Sequence, residues 1–262
     1  MNQYRIWGDK MDIYYAIIIF ILGLVFGSFY TVVGERLPNG ESLINPPSHC
    51  PNCNHRLGIL ELIPVFSFIF LRGKCKNCKS KIPVLSTIVE LLTATLFLIA
   101  YLRFGITVDL FIALIFISML IIVIVSDIRY MIICDEILII GNILIFILIL
   151  MNTGIKNAGM SLIYGAACFF IMLSIKFLGD MIFKRESMGG GDIKLMFTFG
   201  MVLGVPSSVA SIFLASFIGL PISLIMMHKS KNHELPFEPY LSIAAIIILL
   251  SGIDVINVLT SL

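Results

Sequence analysis

Charge is what this chain has least of. Only 13% of its 262 residues are Asp, Glu, Lys or Arg, while 59% are hydrophobic and the mean hydropathy is +1.04. Soluble domains carry about a quarter of their residues as charge, so that class is excluded and the chain is expected to be an integral membrane protein. Strand-like alternation is absent as well. Lipid accepts only helices or closed barrels, which leaves an all-α polytopic membrane protein as the fold class. There is no dinucleotide-type glycine motif, low-complexity tract or internal repeat. The first apolar run, "YYAIIIFILGLVFGSF", lacks a small-residue cleavage site, so it is expected to be a retained helix and not a signal peptide.

What the chain has in abundance is apolar runs. A bilayer takes about 20 helical residues, and the runs predict eight helices over 12–33, 84–103, 108–126, 136–151, 158–180, 192–205, 207–227 and 240–259. The sixth is short, so a broken or re-entrant element is left open there. Lys and Arg fall unevenly between the loops. Fourteen lie on the side of the loop after the first helix, and four (Arg5, Lys10, Arg103 and Lys156) lie on the other. By the positive-inside rule the first side is cytoplasmic and both termini are outside. Topology accounts for the basic excess, so membrane lipid is the expected surroundings and no nucleic-acid partner is expected.

The one sizeable polar segment, 35–83, contains "CPNC" at 50–53 and "CKNC" at 75–78. Two C-x2-C turns separated by 21 residues offer Cys50, Cys53, Cys75 and Cys78 as four thiolates for one tetrahedral metal, with zinc expected. A four-Cys set leaves no open coordination position, so the role is structural, in a segment with little core of its own. His49 and His55 flank the first turn and are expected to be solvated loop residues. Glu35, Glu41 and Glu61 are expected to be surface charges, and Cys134 and Cys168 small packing residues. The domain reading is a first helix (1–34), a cytoplasmic zinc-binding loop (35–83) and a helical bundle (84–262).

Acidic side chains at a membrane face are candidates for function. Asp127 ends the third helix in "VIVSDIRYMIICDEI", and Asp192 follows three glycines in "SMGGGDIKLM". Both fall on the cytoplasmic side of this topology and so can meet. Two carboxylates sharing one proton supply a base for water and an acid for a peptide carbonyl, as in aspartyl proteases. Gly189, Gly190 and Gly191 would let the backbone turn sharply or lie close to an extended peptide. Asp192 as an N-cap of the next helix is the other reading of the same residues. Asp135 and Glu136 compete with Asp127 as the partner, although at the start of a helix they suit its dipole.

The glycine–aspartate motif at 189–192 with Lys194 after it, the aspartate of "SDIRYMIICDEI", the two cysteine turns and "GSFYTVVGERLP" at 27–38 together resemble the type IV prepilin peptidases, in that family's order from about residue 20 to about residue 200. The resemblance implies an intramembrane aspartyl peptidase in the bacterial cytoplasmic membrane. Its substrates would be prepilins or pseudopilins, cut after a glycine at the cytoplasmic face. In the family's bifunctional members it also implies N-methylation of the new N-terminus from S-adenosylmethionine, with 35–83 as the region tied to that activity; the alternatives are a peptidase whose loop only binds zinc and a non-enzymatic assembly factor or ion carrier. Asp127 and Asp192 would be the catalytic pair, supported by the motif residues Gly189, Gly191 and Lys194.

Overall fold

A computed structural model of the chain describes residues 10–184, 186, 188–229 and 237–252. The regular elements among them are helices: α1 (Lys10–Arg36), α2 (Phe66–Phe70), α3 (Val84–Phe104), α4 (Val108–Tyr130), α5 (Asp135–Phe183), α6 (Gly190–Leu203), α7 (Val205–Lys229) and α8 (Glu238–Ser251). Arg5, Arg185 and Lys231, and residues 253–259 of the last expected helix, lie outside the described residues.

Among the described residues, five helices are long and apolar enough to cross a membrane. One of them, α5, is 49 residues long. At 1.5 Å per residue that is about 74 Å, more than twice a bilayer core. The element is broken inside at Gly154, whose φ of 81° and ψ of 172° interrupt the helix in a conformation that side-chain-bearing residues rarely adopt. The expected helices 136–151 and 158–180 lie on either side of that break. By contrast α6 is unbroken but only 14 residues long, about 21 Å, too short to span a bilayer.

The chain divides into two compact units, Met1–Leu110 and Phe111–Leu262. In the first, α1 lies along α3, and a Cβ built on Gly27 would come within 2.7 Å of the Glu90 Cα. Small residues permit this close approach, which takes the place of the hydrophobic drive that lipid cannot supply. Glu90 is buried and accepts the Val65 backbone N–H at 2.8 Å and the Ser86 hydroxyl at 3.3 Å. Val65 is the N-cap of α2 and has a φ of 61°, strained for a β-branched residue. The Glu90 carboxylate thus ties the polar loop to α3.

In the second unit, α6 lies against α5, with Gly200 backed onto the backbone of Tyr164 and Gly165. On α6, Phe199 meets Phe116 of α4 edge-on, with ring centroids 5.6 Å apart and both rings fully buried. Such pairs contribute about 0.5–1.5 kcal/mol beyond the area they bury. This contact places α4 beside α6 and brings the end of α4 that carries Asp127 toward the beginning of α6, where Asp192 sits.

Candidate active site and cysteine turns

Asp127 stands one turn before the end of α4 and Asp192 in the first turn of α6. Each is only 7% exposed, far below what a surface charge or a solvated helix-start acid would show. The Asp192 carboxyl lies in the electrostatic field of Asp127, so the two side chains are brought together from separate helices. One Asp127 oxygen, Oδ2, is buried without a hydrogen-bond partner. The N-cap of α6 is Gly189, with φ −66° and ψ 152°, and the N-cap reading of Asp192 is set aside.

The three glycines have separate explanations. None adopts positive φ, so they do not form a left-handed turn, and two of them already belong to the first turn of α6. A Cβ on Gly191 would land on the Ile133 side chain, which comes from the segment between α4 and α5. Gly191 is therefore required by close packing. A Cβ on Gly190 would meet nothing within 4 Å. One on Gly189 would stand 3.8 Å from Asp192 Oδ2, and a longer side chain there would grow over the carboxylate. Glycine at 189 leaves that oxygen approachable by a peptide backbone.

Lys194 and Asp135 are paired with each other. Lys194 Nζ donates to both Asp135 oxygens at 2.7 Å, and both side chains are about half exposed. Asp135 lies in the first turn of α5 with Glu136. An exposed pair of this kind is worth about 0–1 kcal/mol, and it joins the start of α5 to the start of α6 without entering the buried pair.

Glu238 was not singled out from the sequence. It opens α8, next to Pro239, and is only 2% exposed with neither carboxyl oxygen hydrogen-bonded. It lies in the field of both Asp127 and Asp192. An acid followed by proline at a helix start reads as ordinary dipole and N1 chemistry, and nothing in "LPFEPYL" signals that the packing of α8 buries it.

The loop carries a second constellation. Its two cysteine turns repeat one geometry: Cys50 N–H donates to His55 O at 2.9 Å and Asn54 N–H to Cys50 O at 2.9 Å, while Cys75 N–H donates to Ser80 O at 2.8 Å and Lys79 N–H to Cys75 O at 3.1 Å. The residue after each second cysteine, Asn54 or Lys79, has positive φ. All four sulfurs lie within 4.8 Å of one another, with Cys50–Cys78 at 3.7 Å and Cys53–Cys75 at 3.9 Å. Ligands about 2.3 Å from a tetrahedral zinc are about 3.8 Å apart, so the spacing fits a metal. The Asn52 backbone amide, joined by the Ser80 hydroxyl, pulls Cys50 down to about 6, and Ser80 also lowers Cys78. At Cys53 the His55 backbone amide works in the same direction, yet burial and the neighbouring thiols push it up to about 11. Four sulfurs this close cannot all ionise without a cation among them.

The flanking histidines stay outside that set. His49 Nδ1 lies 3.0 Å from Pro47 O, and His55 Nε2 lies 3.2 Å from Glu61. Glu61 is more than the surface charge expected from the sequence, since it also accepts the Gly58 backbone N–H at 2.8 Å. That amide, joined by His55, lowers the Glu61 carboxyl against the opposing effect of burial.

The family model for the Bacterial Peptidase A24 N-terminal domain matches residues 21–104, and that for the Type IV leader peptidase family matches residues 114–224. A prepilin leader peptidase/N-methyltransferase from Bacillus subtilis (strain 168) is 39% identical over 243 residues, 92% of this chain and 96% of its own length. Proteins of the same name from Myxococcus xanthus (strain DK1622) and Aeromonas hydrophila are 32% and 31% identical, covering 81% and 91% of this chain and 63% and 91% of their own lengths. No solved structure matches the chain. Two family models that divide most of the sequence between them, and a relative matched nearly end to end, establish that the chain belongs to the type IV leader peptidase family.

Proposed function

We propose that this chain removes the leader of a prepilin or pseudopilin, cutting after a glycine, with Asp127 and Asp192 as the catalytic pair. The observation that carries the reading is the pairing itself: two aspartates from separate helices, both buried, with Asp192 in the field of Asp127. In the reaction one aspartate is ionised and takes a proton from the attacking water, while the other is protonated and polarises the scissile carbonyl. The resulting tetrahedral centre collapses as a carboxyl proton passes to the leaving amine. One water is consumed, and the pair ends with the single proton it began with.

A carbonyl inside a transmembrane helix is already hydrogen-bonded and shielded, so the substrate is cut where it is extended, at the edge of its helix. The open backbone at Gly189 and Gly190 is suited to such a strand. The excess of loop cations supports a cytoplasmic location for this end of α4 and α6 in the bacterial membrane.

The second activity is N-methylation of the amine released by cleavage. S-adenosylmethionine supplies the electrophilic methyl group. Cys50, Cys53, Cys75 and Cys78 would hold zinc as a closed structural centre for the loop. Mass spectrometry of a prepilin co-expressed with the chain tests the reading, because leader loss and methyl gain are separate mass shifts. Leader loss with a methyl gain is expected. An uncut prepilin would contradict the peptidase assignment, and a cut but unmethylated one the second activity.

A further inference from the structure

Buried carboxyl groups are rare because each must be paired or neutral. Among the described residues of the second unit there is one more beside the aspartate pair, Glu238. It is more deeply shut off than either aspartate, both of its oxygens lack partners, and the charges it feels are those of Asp127 and Asp192. Ser242, one turn further along the same face of α8, is fully buried, and its hydroxyl also has no partner. Of the neighbouring elements, α4 contributes Asp127 and α6 contributes Asp192, and α7 has no ionisable residue before His228. No cation faces Glu238 among the described side chains.

This arrangement costs stability. An ionised carboxylate with no donor or cation would be prohibitive next to two others, so the side chain is a neutral carboxylic acid. As such it offers one O–H donor and one carbonyl acceptor. A backbone peptide unit of an extended chain offers the complementary acceptor and donor. The three carboxyls do not come close enough together to form a metal-binding group, in contrast to the cysteines.

We propose that Glu238 is a substrate-binding residue of the peptidase centre, a neutral acid that donates to a backbone carbonyl of the extended substrate beside the scissile bond and accepts from a backbone N–H of the same strand. The inference rests on the assignment of Asp127 and Asp192. Unpartnered polar groups retained at the expense of stability are a mark of functional sites.

The test compares Glu238→Gln and Glu238→Met in the full-length chain, reconstituted in lipid, with a purified prepilin that the wild type cleaves. Gln keeps a donor and an acceptor without charge, and Met fills the same space with neither. Met is expected to leave the melting temperature unchanged or raised while kcat/KM falls on the order of tenfold. Gln is expected to restore kcat/KM to within about threefold of wild type with the same pH profile, since neither side chain is charged. Wild-type cleavage by the Met variant would overturn the inference, as would a Gln variant no better than Met, which would assign the partner as a cationic group of the substrate. A clear loss of melting temperature in the Met variant would overturn it in favour of a structural role. Asp127→Asn and Asp192→Asn run alongside. If either cleaves normally, the peptidase assignment falls and takes this inference with it; if both are inactive while Met cleaves normally, only this inference falls.

Discussion

Single side chains at this site are distinguished by what surrounds them. Of three successive glycines, one is required by packing, one keeps a carboxylate open and one is unconstrained. Gly190→Ala should therefore cleave prepilin at close to the wild-type rate, and Gly191→Ala should be impaired about tenfold or more, because its new methyl group displaces Ile133 beside the aspartates. Adding Ile133→Ala to Gly191→Ala should recover most of the loss. Equal rates for the two alanine variants, or no recovery in the double variant, would mean that packing against Ile133 is not what Gly191 provides. Asp135→Asn weakens an exposed pair with Lys194 and should change activity less than about threefold. The sequence pointed to Asp127 and Asp192 through their position at helix ends on one side of the membrane, but could not reveal Glu238. Its burial is decided by how α8 packs, and the residues around it look like an ordinary helix start.

At the scale of elements, the apolar runs revealed the order of the helices because bilayer thickness fixes their length. The start of α6 was less legible. Glycine disfavours helix by about 1 kcal/mol relative to alanine, so the sequence placed the helix start after the glycines, whereas the tertiary contacts of Gly191 draw two of them into the first turn. The cysteine turns were legible because their spacing encodes ligand geometry directly. The purified chain should carry a single zinc ion, and Cys53→Ser with Cys78→Ser should release it and make residues 35–83 more sensitive to protease, because binding and loop folding are coupled. Elemental analysis with limited proteolysis checks this. A metal-free chain with a protease-resistant loop would show that hydrogen bonds such as those of Glu61 and Glu90 hold the segment without metal.

On the scale of the whole molecule, the chain places a polar loop with four clustered cysteines in one compact unit and a buried aspartate pair in the other. Hydrolysis needs the pair and water; methyl transfer needs the new amine held against its methyl donor. Disrupting the cysteine turns should therefore lower methylation more than cleavage, measured on pre-cleaved and intact prepilin. Equal loss of both would mean that the loop supports the entire fold. The most direct test of the central claim is the N-terminal mass of a prepilin incubated with wild type, Asp127→Asn or Asp192→Asn at matched protein amounts. Asparagine preserves the shape of either side chain but can neither take nor give the shared proton. The account predicts leader removal by the wild type and a loss of at least about a hundredfold in each variant; near-normal leader removal by either variant would contradict it.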